Sequence, residues 1–402
     1  MYKVLKDIRS FKHEENQYVR DQKLFLVNLD EHGEGASQNE NFLFYRNDES
    51  VTIYDRVCDH NQGKLSLNGS IARCPLHGWE LDPSTGQYLN NQCIKEPAQR
   101  IMTNELDSPM IELEQSDLCL KLNNYKHTYE VNVEYLNHAS LYFHVEKVVS
   151  FATDPWLIGP AFQNGWWLHE STRIDAFDKL NSCDFIYISH NHPDHLHEET
   201  LKNIRKDMLF LVPKFNSGST EKTLRSFGFE NVHLPEFGTS MVDDLSQIRL
   251  SVLKSGDFRD DSGLLVQLGD FSALLTVDSN FLDFGRFPKG ITLLSSSFAG
   301  GASGFPLCFD DYSEREKSKI ILRNKGAIRA TNLNNIKKTS PMYFMPYAGF
   351  FKEKALRDEY IARNNKKNSP EDYERFCIDN NCELINVLES DELKFFGSNL
   401  KK

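Results

Sequence analysis

The sequence predicts two domains of different class, a small all-β domain over residues 1–122 and a larger domain of interleaved strands and helices over 123–402. Two Cys/His loops in the first part, a His-rich strand end in the second, and a change of texture between them carry this reading. With 402 residues there is chain enough for two domains with real cores.

Residues 1–122 offer short strand-like runs, among them LFLVNL, FLFYR and VTIYDR, separated by turn signals such as NLDEHGEGASQNEN, NDES, NGS and NNQC. The polar stretch NNYKHT follows LCLKL and marks a boundary near Asn123. Beyond it, YEVNVEYL, SLYFHVEKVVSF, FIYISH and ALLTVDS alternate with the helix-like DAFDKLNSC, TEKTLRSF and DDYSEREKSKIILRNKGAI. Such interleaving argues for packed sheets with covering helices. KEKALRDEYIARNNKK is expected to be a solvated helix, and the Gly/Pro/aromatic-rich TDPWLIGPAF and FAGGASGFP are expected as pocket-wall loops.

A net charge of −12 argues against general nucleic-acid binding. Residues 1–122 carry 13 Lys/Arg against 20 Asp/Glu, so an acidic electron carrier docking there would need a local basic patch. No apolar run reaches membrane length and MYKVLKDIRSFKHEEN lacks a signal-peptide hydrophobic region, so a cytoplasmic location is the default expectation. Eight cysteines do not suggest a disulfide framework. Cys93, Cys119, Cys183, Cys308, Cys377 and Cys382 are expected to be buried thiols.

The other two cysteines are paired with histidines. Cys58 and His60 are spaced Cys-x-His, and Cys74 and His77 are spaced Cys-x-x-His, with thirteen residues intervening. Two thiolates and two imidazoles suit a tetrahedral zinc or a Rieske [2Fe–2S] centre, in which two His replace Cys on one iron. The surroundings favour the cluster. Each pair sits in a loop between strand-like runs, and Gly63, Gly78 and Gly86 let backbone fold closely around it. The tails N-Q-G and H-G-W-E-L-D-x-x-T-G resemble the two cluster-binding loops of Rieske domains.

The strand-like FIYISH ends in HNHPDHLHEET, which supplies His190, His192, Asp194 and His195. A strand that stops and turns presents successive side chains at one open edge, where metal ligands are wanted. Histidine with carboxylate suits zinc or iron, and two His plus one carboxylate is the ligand set of non-haem Fe(II) oxygenases. The local pattern resembles the metal-binding loop of metallo-β-lactamase folds. His197 is expected on a helix surface and His233 in a structural role.

Longer stretches carry a closer match. TDPWLIGPAFQNGWWLHES, YISHNHPDHL, SSSFAGGASGFPLCF and PYAGFFKEKALRDEYIARNNKKNS resemble the CMP-N-acetylneuraminate hydroxylase family, in the same order. The resemblance implies a small all-β Rieske domain followed by an αββα metallo-β-lactamase-like domain holding a mononuclear Fe(II). It implies O2-dependent hydroxylation of an N-acetyl methyl group on a nucleotide-activated sialic acid. Electrons would come from NAD(P)H through a reductase and a ferredoxin- or cytochrome b5-like carrier. Cys58, His60, Cys74 and His77 match the cluster ligands; His190, His192, Asp194, His195 and Asp278 match the metal edge. His138, in YLNHASLYF, matches the family's early His-Ala pair and joins Asp194 and Asp278 as an expected catalytic group. Asp257 stands where the metal-loop histidine aligns, with Asp260 and Asp261 close by. Family members also continue beyond the PYAGFF region. The expected substrate is therefore a small molecule that includes an amine or amide as well as a nucleotide sugar. By the same resemblance, an oligomer that passes electrons across subunits fits the pattern.

Two other classes compete. A metal hydrolase for a lactone or phosphoester, with the Rieske part as redox sensor, would need a zinc-activated water and a fuller ligand set. An electron carrier using the cluster alone leaves HNHPDH unexplained. Zinc content separates the hydrolase from the oxygenase, and O2 dependence separates the oxygenase from both.

Overall fold

The computed structural model describes residues 7–59, 64–75, 78–105, 108–257, 259–300 and 304–401. These divide into two units, Tyr18–Cys119 with Gly326–Asn334, and Met1–Gln17 with Leu120–Lys325 and Asn335–Lys402.

Tyr18–Cys119 is built from antiparallel strands. Gln99–Met102, Ser50–Asp55, Phe42–Arg46 and Gly35–Gln38 form one four-stranded sheet, in that order. Ser66–Asn68, Ile71–Arg73, Glu80–Asp82 and Gln87–Tyr88 form another, and Tyr18–Asn28 pairs with Met110–Leu120. The run FLFYR explains how two small cores arise from one strand. Alternate residues of a strand face opposite sides, so Phe42 and Phe44 pack with Val27, Val51, Ile53 and Leu113. Leu43 instead packs with Tyr54, Leu65, Leu81, Tyr88 and the two cysteines Cys58 and Cys74.

The second unit contains two eight-stranded sheets. One runs Lys12–Glu15, Thr239–Asp243, Ile248–Lys254, Ser262–Leu268, Phe271–Val277, Leu293–Ser297, Tyr343–Ala348, Glu383–Leu384. The other runs Val232–His233, Phe210–Leu211, Phe185–Tyr187, Val149–Thr153, Ser140–Val145, Glu130–Asn137, Glu392–Phe396, Asn399–Leu400. Lys12–Glu15, expected within the first domain, thus pairs antiparallel with Thr239–Asp243. Contacts of Phe395 with Phe271 at 5.1 Å and with Tyr343 at 5.6 Å bring the sheets together.

Strand alternation also sets the helix layer. Ala152 and Ile186 face a cluster that includes Ala176 and Leu180 of the helix Ala176–Ser182 and Leu224 of the helix Ser219–Ser226. Phe143, Phe151 and Phe185 face the other side and stack as a ladder with ring centroids 4.8 and 4.9 Å apart. Because both faces of these strands are covered, they read as continuous apolar runs. No helix among the described residues is long and apolar enough to cross a membrane.

Candidate metal centre

The strand Phe185–Tyr187 leaves its sheet at Ile188, and the next seven residues fold into a tight turn. His195 and Leu196 donate their backbone N–H groups to the His192 carbonyl at 3.0 and 2.8 Å. This turn buries His190, Asp194 and His195 almost completely, while His192 stays accessible. Asp278 arrives from the end of Phe271–Val277, His138 from the turn after Glu130–Asn137, and Asp154 from the end of Val149–Thr153. His138, Asp154 and Val277 all adopt left-handed φ angles, of 45°, 37° and 51°. For a β-branched residue such as Val277 this is strained backbone, and strain of this kind gathers where side chains must be aimed.

Two groups of ligand atoms result. His190, His192 and Asp278 place one donor atom each within 4.8 Å of one another, and so do His138, Asp194 and His195. The groups adjoin: His195 Nε2 lies 3.4 Å from Asp194 Oδ2 and 3.5 Å from Asp278 Oδ2. His138 Nε2 lies 3.1 Å from Asp194 Oδ2. Outside them, Asp154 Oδ1 and Oδ2 accept from the Ser189 backbone N–H and hydroxyl at 2.7 and 2.8 Å, and Oδ2 lies 3.2 Å from His195 Nδ1. A carboxylate behind an imidazole turns the other ring nitrogen toward a metal.

Electrostatics follow from burial and crowding. Burial, with His195 beside it, drives the His190 imidazole well below its ordinary pKa, so it stays neutral. Burial alone would do the same to His195, but Asp194, Asp154 and Asp278 carry it well above the ordinary value. Burial works against ionising Asp194 and Asp278; their histidine neighbours overcome it and hold both carboxyls down. Asp261, pushed up to about 8 by burial and by Asp278, lies with Oδ1 3.5 Å from His190 Nδ1.

The residues fit a metal on an observation independent of any pattern. Asp194 Oδ1, Asp261 Oδ2 and His138 Nδ1 are buried without a hydrogen-bond partner, and His195 Nε2 meets only carboxylate oxygens at 3.4 and 3.5 Å, too far for a well-formed bond. Orphaned polar atoms at this depth are costly unless something else satisfies them, and a cation between imidazole and carboxylate does so.

Asp257 stands outside both groups. Its Oδ2 accepts from Arg259 Nε at 2.7 Å and from Asn280 Nδ2 at 3.2 Å, and its Oδ1 from the Ser255 hydroxyl at 3.0 Å. Asp261, four residues on, is the carboxylate of that segment brought beside His190. The signal for it is position: it immediately precedes Ser262–Leu268, every residue of which is buried. Asp154, which the sequence reading did not single out, carries the same signal, following the buried strand Val149–Thr153. His197 is buried rather than on a surface. It caps the helix Glu198–Leu201, its ring accepting from the Thr200 backbone N–H at 3.2 Å.

In the first unit, Cys58 and Cys74 are buried, lie in one core cluster and are not in disulfides. Cys74 is held in a turn, donating its N–H to the Trp79 carbonyl at 2.8 Å and accepting from Gly78 at 3.1 Å. Buried Lys95 pins the other loop through the Val57 carbonyl at 2.7 Å and Asp59 at 3.1 Å. His60 and His77 lie outside the described residues. Of the remaining cysteines, Cys119, Cys183, Cys377 and Cys382 are buried as expected, whereas Cys93 and Cys308 are exposed.

Beside the metal edge lies a cavity of about 590 Å³, whose wall includes His192, Asp194 and Asp278. Phe162 and Trp166 contribute an aromatic side, edge to face at 4.5 Å, and Trp166 stacks on Phe351 at 3.8 Å. Glu353, Arg357, Asp358 and Ile361 also line it. The segment expected to be a plain solvated helix therefore forms part of this wall.

The comparisons agree with this architecture. Residues 15–109 match the Rieske [2Fe–2S] domain family, and residues 132–257 match the beta-lactamase superfamily domain. The chain joins an all-β Rieske domain to a metallo-β-lactamase-like domain. Its curated relatives include cytidine monophosphate-N-acetylneuraminic acid hydroxylases. That of Pongo pygmaeus is 31% identical over 366 residues, 83% of this chain and 60% of the relative. That of Danio rerio is 31% identical over 360 residues, 82% and 58%. The chain thus spans about 60% of the length of the curated relatives it matches. Among solved structures, CmlA, a diiron beta-hydroxylase from Streptomyces venezuelae, is similar with a TM-score of 0.44 and 16% identity, covering 69% of this chain and 55% of that one. An isothiocyanate hydrolase from Delia radicum gut bacteria is similar with a TM-score of 0.46 and 12% identity, covering 66% and 99%.

Proposed function

We propose that the chain is a Rieske-type non-haem iron oxygenase that inserts one atom of O2 into a small organic substrate. Its N-terminal domain, expected over 1–122, would hold a [2Fe–2S] cluster on Cys58, His60, Cys74 and His77. The second domain, expected over 123–402, would hold iron on His190, His192 and Asp278. The observation that carries the reading is the pairing of a Rieske domain with buried, unsatisfied His/Asp donors at the edge of an aromatic-walled cavity. Iron at that edge supplies O2 activation, and the cluster supplies single electrons drawn from NAD(P)H through a reductase and a carrier.

The chain's own residues do the rest. His190 is neutral without help; its Nδ1 is held by the Ser189 hydroxyl at 2.9 Å, and its Nε2 faces His192 Nδ1 at 2.8 Å, where a metal would take the place of that contact. Asp154 holds His195 by Nδ1, so that Nε2 faces Asp194 and Asp278. Asp194, between His138 and His195, keeps a negative charge at the edge. Phe162 and Trp166, with Phe351 stacked against Trp166, make one side of the cavity aromatic. The existence of a second group, His138 with Asp194 and His195, favours a second reading within the same function, in which the edge holds two metal ions. The substrate class spans cytidine monophosphate-N-acetylneuraminic acid, as in the relatives' names, with its N-acetyl methyl as the expected position, and an amine or amide.

The test is the iron, acid-labile sulfide and zinc content of anaerobically purified protein, before and after His190→Ala. Iron beyond the cluster's own, lost in the variant, with little zinc, is the expected result. Cluster iron alone, with zinc that disappears in the variant, would overturn the oxygenase in favour of a zinc hydrolase. One further iron or two further irons would separate the mononuclear from the dinuclear edge.

A further inference from the structure

We propose that the cavity beside the metal edge selects a small zwitterionic substrate, with its anionic group against Arg259 and its cationic nitrogen against Asp358. This rests on the oxygenase reading only in taking that cavity as the substrate site.

Both residues line the cavity. Arg259 is a prepositioned anion site. Its Nε donates to Asp257 Oδ2 at 2.7 Å and its Nη2 to the Asp278 backbone carbonyl at 3.2 Å. Two bonds fix the plane of the guanidinium and leave Nη1 without a partner among the described residues. A guanidinium fixed in this way loses little freedom on meeting a carboxylate. Asp257, which aligns with a metal ligand in the sequence reading, thereby acquires a different role: it sets the angle of Arg259.

Asp358 is the complementary feature. Its side chain is only 17% exposed, yet the sole ion pair it makes among the described residues is a 3.5 Å approach of Arg357 Nε. A Cβ built on Gly165 would lie 4.0 Å from Asp358 Oδ2, so a glycine there keeps space open beside the carboxylate. Glu353 on the same wall is different: both of its oxygens are engaged, by Lys367 Nζ at 3.0 Å and by Asn365 Nδ2 at 3.2 Å. Trp166 adds an aromatic surface of the kind an ammonium favours.

What remains is hydrogen-bonding capacity. Arg357, the other arginine of the wall, donates Nη2 to the Gln163 carbonyl and approaches Asp358 only at 3.5 Å. The Nη1 edge of Arg259 and the second oxygen of Asp358 are the charged edges of the wall left to a ligand, which matches one anionic and one cationic group. A nucleotide sugar with both a phosphate and a carboxylate would bring two anions and no cation to satisfy Asp358.

Equilibrium dialysis of the oxidised, iron-replete full chain against defined probes tests this. The probes are the twenty common amino acids, their decarboxylated amines, their deaminated acids, and CMP. At least one amino acid should be retained tenfold or more over its own amine and acid counterparts and over CMP. Asp358→Asn should cut that retention at least tenfold, and Asp358→Glu should recover part of it, with iron content and melting temperature unchanged in both. Retention of CMP above every amino acid, retention of no amino acid, or unchanged retention in Asp358→Asn would each overturn the proposal. Binding is read without turnover. A protein that binds zwitterions but never consumes O2 would fail the oxygenase reading alone, whereas one that consumes O2 but fails the dialysis would fail this inference alone.

Discussion

The proposed cluster loops and the proposed metal edge gather their donor side chains with opposite use of the chain. Each loop's expected Cys/His pair lies within four consecutive residues, and Cys58 and Cys74 share one small core. The edge draws on His138, Asp154, a turn at 190–195, Asp261 and Asp278, delivered by the ends of several strands. Local ligands tie a site to one unit of structure, which can be lost or kept as a whole. Distant ligands tie it to the packing of an entire domain, and each strand end then needs its own aim, seen here in the left-handed backbone at His138, Asp154 and Val277.

The sharpest way to break this comparison is to remove one ligand from each site. His190→Ala should abolish product and remove the edge metal while leaving the cluster's visible spectrum intact. Cys74→Ser should do the reverse, bleaching the visible absorption and ending electron-driven turnover while edge metal persists. Metal and sulfide analysis with absorption spectra reads both. If either substitution empties both sites, the two are not independent.

How far each site was legible follows the same division. The Rieske domain was readable because its Cys/His pairs with their spacing, its glycines and its turn residues all fall within short windows of sequence. The turn HNHPDH was readable for the same reason. What escaped was the part assembled by long-range pairing. Asp257 and Asp261 are equally good ligands on paper, and only the burial of the strand that begins at Ser262 places Asp261 beside His190. The edge strand Lys12–Glu15 carries no apolar alternation, being exposed throughout, so its docking on Thr239–Asp243 rests on backbone pairing that composition does not display. The segment 352–367 was read in part: Glu359–Asn364 is a helix with no buried residue, but its flanks are partly buried, as with Lys367 lying 3.5 Å over the Phe351 ring.

Smaller effects sharpen the contrast. Asp154→Asn should lower the edge's metal affinity by about 10–100-fold without touching the cluster, since it removes the charge that orients His195. Competition with a chelator measures this, and unchanged affinity would mean that His195 is held by packing alone. In the dinuclear reading, affinity of the second group, His138 with Asp194 and His195, should also rise with pH. His195 is held protonated above its ordinary range by Asp194, Asp154 and Asp278, and a metal must displace that proton, whereas His190 is already neutral. One proton released per metal gives up to about tenfold tighter binding per pH unit until His195 has titrated. A pH-independent constant between pH 6 and 8 would place His195 outside the ligand set.

The smallest expected effect probes the local site through its turn. Gly86 closes the Asp82–Gly86 turn, with φ of 73° and its N–H donating to the Asp82 carbonyl at 2.8 Å. A Cβ there would lie 2.9 Å from the Lys95 carbonyl and 3.0 Å from the Tyr54 hydroxyl. Lys95 in turn holds the loop of Cys58 through Val57 and Asp59. Gly86→Ala combines a left-handed backbone penalty with a contact against backbone that has little room to move, a cost of about 1–3 kcal/mol. It should lower the melting temperature of the cluster domain by several degrees and speed loss of the cluster on warming, while edge metal content stays constant. Thermal scans followed at the cluster's visible band and by edge-metal release separate the two regions. If both signals shift together, the local site is no more self-contained than the distributed one, and the comparison fails at its base.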